Sequence, residues 1–276
     1  MEYVLTTDAL SKHYKKGKAL DGLCMHVPKG AIYGFVGKNG AGKTTLIRLI
    51  CGLSHPTSGS FTLYGMEHTD SEMKKMRKRM GAVVETPALS SDMTAEENLR
   101  QQYRILGLSS FDGIKDLLVL VGLEQTGKKK VRAFSLGMKQ RLGIAMAMAG
   151  EPDFLVLDEP TNGLDPQGII ELRELILKLN HEKGITFLIS SHILDELARI
   201  ATHYGIIDQG KMVKEFSADD LEKECNSKLH IEADVSDAEE IFRILEERGI
   251  SYEILPGKDK KLEEYFISLI GGDGHA

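Results

Sequence analysis

The chain has 276 residues, 42% of them hydrophobic and 28% charged, with a formal charge of −6. This balance is ordinary for a soluble globular protein of one large domain, alone or with a small appendage, and gives no general pull toward nucleic acid or anionic lipid. Three scattered cysteines (Cys24, Cys51, Cys225) exclude a disulfide framework, fit a reducing cytosol and read as buried small hydrophobes, while the longest apolar stretch, Leu142 to Gly150, is about half a membrane span.

Strand-like runs stand at 3–7, 23–27, 32–36, 60–64, 82–85, 154–157, 185–190 and 204–208. Helical patterns separate many of them, which predicts an α/β fold with a largely parallel core sheet. The N-terminus shows no basic-then-apolar signal pattern. Directly after the run 32–36 comes Gly37-Lys38-Asn39-Gly40-Ala41-Gly42-Lys43-Thr44, a G-x-x-x-x-G-K-[ST] loop, and a buried-helix pattern follows over 45–51. Glycines let such a backbone approach a ligand closely, so that successive N–H groups converge on a β-phosphate at a helix N-terminus. Lys43 would reach the β- and γ-phosphates, and the Thr44 hydroxyl would ligate Mg²⁺. A glycine-rich turn before an ordinary helix is the rival reading, and the strand before the loop weighs against it. The ligand class implied is a nucleoside triphosphate with its magnesium.

Between about 86 and 150 helix follows helix without strands, so a helical insert interrupts the predicted sheet. Thr94-Ala95-Glu96-Glu97 is a capping box opening a helix that runs on to 106; further helices are predicted over 112–121 and 136–149. The apolar run at 154–157 ends in Asp158 and Glu159. A strand end beside a phosphate loop is where a magnesium-orienting acid belongs, which suits Asp158; Glu159 is then placed to orient or deprotonate an attacking water. Pro160-Thr161-Asn162-Gly163-Leu164-Asp165 is rich in turn formers and precedes a helix starting near Pro166. His192 follows the strand 185–190 and is placed to donate to a γ-phosphate from a neutral imidazole. Beyond 216 the pattern predicts helix 218–225, strand 228–233, helix 236–248, strand 251–255 and helix 260–269. This tail holds no recognisable chemistry; it reads as a packing appendage, a dimer contact or a regulatory segment.

These pieces, in this order, resemble the ATP-binding subunit of an ABC transporter over roughly residues 3 to 216. The resemblance rests on Walker A at 37–44, Walker B at 154–159, the D-loop around Asn162–Asp165, the switch histidine His192 and a signature segment, Phe134-Ser135-Leu136-Gly137-Met138-Lys139-Gln140-Arg141. It implies a P-loop NTPase fold of the ABC ATPase type: a mostly parallel core sheet in 1–216, an antiparallel β subdomain, the helical subdomain at 86–150 and a small β/α extension at 217–276. It further implies that ATP is contacted by Gly37, Lys38, Asn39, Gly40, Ala41, Gly42, Lys43, Thr44 and Thr45, with Tyr14 stacking on adenine. Without the resemblance, Tyr14 also reads as a surface tyrosine among lysines. Ser135 and Gly137 would close over the γ-phosphate of an opposite subunit, so that ATP joins two chains head to tail. Catalytic roles fall to Glu159, His192 and Lys43, and Mg²⁺ to Thr44, Asp158 and Glu85.

Two departures mark a subgroup. The usual signature Leu-Ser-Gly-Gly-Gln is Phe-Ser-Leu-Gly-Met here, and Glu85 stands where a glutamine is common. A glutamate keeps an oxygen for magnesium or water but lacks the amide donor. Both features resemble the ATPases of bacitracin- and lantibiotic-type exporters. The implied protein is a peripheral subunit on the cytoplasmic face of the membrane, partnered by membrane-spanning permease subunits and pairing as a homodimer or paired cassette when ATP-bound. A soluble ABC-type ATPase acting on nucleic acid or ribosomes fits less well, because the chain has one cassette and a negative charge; no nucleic acid partner is expected. A nucleotide-gated module with little turnover is the other alternative, and Lys43, Asp158, Glu159 and His192 weigh against it.

Overall fold

Alternation of apolar and polar residues folds the first segment into a long hairpin of β1 (Tyr3–Tyr14) and β2 (Gly17–Pro28), with Leu5, Leu10, Leu23, Met25 and Val27 facing inward. The computed structural model describes residues 2–15, 17–225 and 241–245. From the hairpin the chain runs through β3 (Ile32–Val36), α1 (Lys43–Ile50), β4 (Ser58–Leu63), β5 (Met66–Glu67), α2 (Met73–Arg77) and β6 (Met80–Val83). The helical insert follows as α3 (Ala95–Leu106), α4 (Ile114–Leu120) and α5 (Leu136–Met148). Then come β7 (Phe154–Asp158), α6 (Pro166–Lys183), β8 (Thr186–Ser191), α7 (Leu194–Ala198), β9 (His203–Asp208), β10 (Lys211–Ser217) and α8 (Ala218–Cys225).

Two sheets result. The antiparallel one has the order β2-β1-β4-β5; the six-stranded one has the order β10-β9-β3-β8-β7-β6, all parallel except the edge strand β10. Strands β3, β7 and β8 are buried on both faces, which explains their mostly apolar sequence. Their side chains alternate between two cores. Phe35, Phe154, Val156 and Leu188 pack with the antiparallel sheet and α1, whereas Val36, Leu155, Leu157, Phe187 and Ile189 pack with the helices of the insert, α6 and α7. The parallel core sheet, the antiparallel sheet and the inserted helices follow the sequence expectation.

Several elements differ from it. β1 and β2 extend far beyond 3–7 and 23–27, because their outer halves carry lysines, histidines and serines that dilute the apolar signal. Cys24 is exposed on the outward face of β2, contrary to a buried reading, while burial pushes the Cys51 thiol up to about 12; the side chain of Cys225 lies outside those described. β6 ends at Val83, two residues short of the expected strand, and Glu85 adopts a positive φ of 59°. The short β5, α2 and α7 and the edge strand β10 carried no pattern long enough to read. Helix 218–225 is α8, and 241–245 is helical inside the expected 236–248. The predicted strands 228–233 and 251–255 and helix 260–269 lie outside the described residues.

Candidate active site

Strand order brings three loops together. β8 lies between β3 and β7, with Val36 opposite Ser191 and Asp158 opposite Ser190, so the C-terminal ends of all three strands meet on one edge. In open α/β sheets ligands bind at that edge. The loop 37–44 leaves β3 there, Glu159 leaves β7, and His192 leaves β8.

The glycine loop winds into α1 with Gly42 as N-cap at φ 115°, a conformation closed to other residues; a Cβ at this position would also stand 2.4 Å from the Ala19 carbonyl oxygen. No side chain caps α1 and its first turn holds no acid, so its leading N–H groups point out uncompensated toward the loop. Lys43, only 5% exposed, turns its ammonium back into the loop and donates to the carbonyl oxygens of Gly37 at 2.6 Å and Lys38 at 3.3 Å. The same Nζ stands 3.1 Å from Glu159 Oε1. A buried cation needs such partners, since an unpaired one costs several kcal/mol. Lys38, Asn39 and Gly40 form the exposed crest of the loop, Ala41 and Gly42 are buried, and Thr44 and Thr45 sit half-buried in the first turn of α1.

Glu159 is held from its other side by His192, whose Nδ1 lies 2.6 Å from Oε2. A carboxylate only accepts, so Nδ1 carries the proton in this contact and Nε2 is the ring nitrogen left facing away from Glu159. Glu159 also has a positive φ of 49°, which costs a residue with a Cβ about 1 kcal/mol or more. Asp158 is buried beside it at the strand end. Its Oδ1 accepts the Ser190 hydroxyl at 2.6 Å, and its buried Oδ2 has no hydrogen-bond partner. The Ser190 Oγ in turn accepts the backbone N–H of Glu159 at 2.9 Å. Among the described residues no group of three or more His, Cys, Asp or Glu could hold a metal by protein atoms alone. Magnesium asks for less, typically one or two carboxylates together with phosphate oxygens, and the orphaned Oδ2 of Asp158 fits that donor set. One further contact joins the loops after β7 and β8: the Thr161 hydroxyl donates to Glu196 on α7.

The remaining sequence-predicted residues lie apart from this cluster. Tyr14 ends β1 as an exposed ring with the Lys12 ammonium 5.2 Å from its centroid. Glu85 forms an ion pair with Arg48 of α1. Ser135 is the N-cap of α5, its Oγ accepting the Met138 N–H at 3.2 Å, and Gly137 lies in the first turn. Leu136 lies over Gly163, where an added Cβ would come within 2.9 Å of its Cδ2. Asp165 caps α6, accepting the Gly168 N–H at 3.0 Å. Sequence reasoning missed Ser190, Arg48 and the Thr161–Glu196 contact. The only signal for Ser190 was a polar residue closing an otherwise apolar buried strand.

The family model described as "ABC transporter" matches residues 20–162. The bacitracin transport ATP-binding protein BcrA of Bacillus licheniformis is 39% identical over 305 aligned positions, covering 99% of both chains. The lantibiotic transport ATP-binding protein SrtF of Streptococcus pyogenes is 41% identical over 232 positions, covering 83% of this chain and 99% of its own. Among solved structures, the dimeric bacterial ABC transporter cassette MJ0796 superposes with a TM-score of 0.70 at 26% identity, over 78% of this chain and 98% of that one.

Proposed function

The chain belongs to the ABC transporter family of ATP-binding proteins, and on that premise we propose that it hydrolyses ATP to drive export of a peptide antibiotic or a similar toxic amphiphile through separate membrane subunits. The observation that carries the catalytic part of this reading is the chain of contacts Lys43–Glu159–His192 across three adjacent strand ends. The bacitracin and lantibiotic relatives support the cargo class. No described helix is long and apolar enough to cross a membrane. Docking on permease subunits at the cytoplasmic face belongs to this proposal and is supported by the transport ATP-binding relatives.

In this mechanism the triphosphate takes over the donors that the resting loop directs at itself. Lys43 exchanges the Gly37 carbonyl and Glu159 for β- and γ-phosphate oxygens, and the N–H groups at the start of α1 meet the phosphates. Release of Lys43 frees Glu159 Oε1 to accept a proton from a water whose oxygen bonds to the γ-phosphorus, while the bond to the bridging oxygen breaks and ADP leaves with the electron pair. His192 keeps Oε2 in place; it donates to the γ-phosphate only when its ring is protonated or has let go of Glu159. Thr44 and Asp158 would hold Mg²⁺, which neutralises charge on the phosphates. Glu85 would contribute an oxygen to the metal, or to a water beside it, only by leaving Arg48. Tyr14 offers its ring to adenine, and the contacts of Gly37 to Thr45 complete the nucleotide cradle. Ser135 and Gly137 present a helix N-terminus to the γ-phosphate of a second copy, so two chains close over two ATP molecules.

The test is Glu159→Gln in the purified full chain. The variant is expected to bind ATP, lose hydrolysis by at least about a hundredfold and accumulate as a dimer in size-exclusion chromatography with ATP. A monomeric variant turning over at the parental rate would overturn the assignment.

A further inference from the structure

We propose that Ser190 is a positioning residue for the metal-binding carboxylate, orienting Asp158 so that one oxygen alone faces the cation. The inference rests on the reading of Asp158 as a magnesium ligand and concerns a residue on the neighbouring strand. Ser190 and Asp158 are direct partners in the parallel pairing of β8 with β7, so their side chains project from the same face of the sheet. Both are buried, at 0% and 1% exposure. A hydroxyl has one proton to give, and Ser190 gives it to Asp158 Oδ1 at 2.6 Å. It spends an acceptor lone pair on the Glu159 N–H at 2.9 Å. One side chain thus fixes the rotation of the Asp158 carboxylate and anchors the backbone from which Glu159 departs.

The geometry divides the two carboxylate oxygens. Oδ1 is committed to Ser190; Oδ2 is buried without a hydrogen-bond partner, an unfavourable state for an acceptor that an arriving cation would relieve. Residues that orient a ligand in this way typically contribute 10- to 100-fold to metal affinity.

The experiment compares ATP binding to the full chain with Mg²⁺ and with EDTA, by titration calorimetry, for the parent, Ser190→Ala, Ser190→Cys, Ser190→Thr and Asp158→Asn. The ratio of the two affinities measures what the metal adds. Ser190→Ala is expected to lose roughly tenfold of that ratio while its affinity in EDTA stays within about twofold of the parent. Ser190→Cys, nearly isosteric but a weak donor, falls between; Ser190→Thr, which keeps the hydroxyl, restores the ratio. If the alanine variant does not fold, the cysteine and threonine variants carry the comparison. An unchanged ratio in Ser190→Ala or Ser190→Cys, with the ratio lost in Asp158→Asn, would overturn the role of Ser190 alone. An unchanged ratio in Asp158→Asn would remove the metal assignment itself.

Discussion

Lys43 places a positive charge where almost no water reaches, and its partners are all within the loops that meet at the strand ends. Removing it takes away charge-assisted bonds to phosphate, each contributing about 1.5–3 kcal/mol. Losing even one such bond, Lys43→Ala is therefore expected to weaken ATP binding by roughly 10- to 150-fold or more, which titration calorimetry on the full chain would read; near-parental affinity would refute its phosphate role. Much at this scale was legible in advance. The loop 37–44 is a local pattern whose proposed role follows from its own residues, and the acids at 158–159 announce themselves by ending an apolar run. What stayed hidden were pairings between residues distant in sequence. Ser190 and Asp158 are 32 residues apart and Arg48 and Glu85 are 37 apart, and neither pair leaves a periodic trace. The contact of His192 with Glu159 rather than with solvent depends on β8 lying beside β7, which only the sheet order reveals.

Elements were readable in proportion to their length and their caps. α3 begins with the expected box: the Thr94 N–H donates to Glu97 Oε2 at 2.7 Å and the Glu97 N–H donates to Thr94 Oγ1 at 3.2 Å. The Thr94 backbone bond and then the Lys130 ammonium hold the Glu97 carboxyl below its ordinary value. A carboxyl lowered on folding contributes stability that is complete above its unfolded pKa and is lost as pH falls through the folded one. Thr94→Ala removes the hydroxyl and should cost about 1 kcal/mol in denaturant unfolding at neutral pH; Glu97→Gln removes the charge, and its difference from the parent should shrink as pH falls below the usual carboxylate range. A difference that did not depend on pH would mean that the reciprocal half of the cap contributes nothing. By contrast α2 and α7 span five residues each, too short for a helical repeat to establish itself. Their existence is decided by the sheet they cover.

Across the whole molecule one acid, which sequence alone could not single out, bridges the two sheets through three hydrogen bonds. Glu215 of β10 accepts the Tyr33 hydroxyl of β3 at 2.6 Å, the His26 N–H of β2 at 2.8 Å and the His26 ring at 3.0 Å. Tyr33 is fully buried, and this burial, reinforced by the neighbouring acid, pushes its hydroxyl well above the ordinary tyrosine value. Glu215→Ala leaves that hydroxyl unpaired in the core and should cost about 1–3 kcal/mol, measurable as a lower urea midpoint at unchanged slope. A cost below about 0.5 kcal/mol would show that water substitutes for the acid and that the seam is not held there. Overall architecture was foreseeable from the order of strands and helices; the seam was not, because β10 is an edge strand with no apolar alternation to announce it.

The carboxylate proposed to activate water also sits, at rest, against the ammonium proposed to receive the γ-phosphate. Glu159 is in that sense a tethered rival of the substrate, present at a concentration no free ligand matches. Every ATP that binds displaces it, so the affinity of the parent chain is a difference between two anions contending for one cation. A Glu159→Gln chain lacks the rival's charge. Its hold on ATP then tightens before any bond is broken, and retention of nucleotide by that variant is in part a property of the ground state.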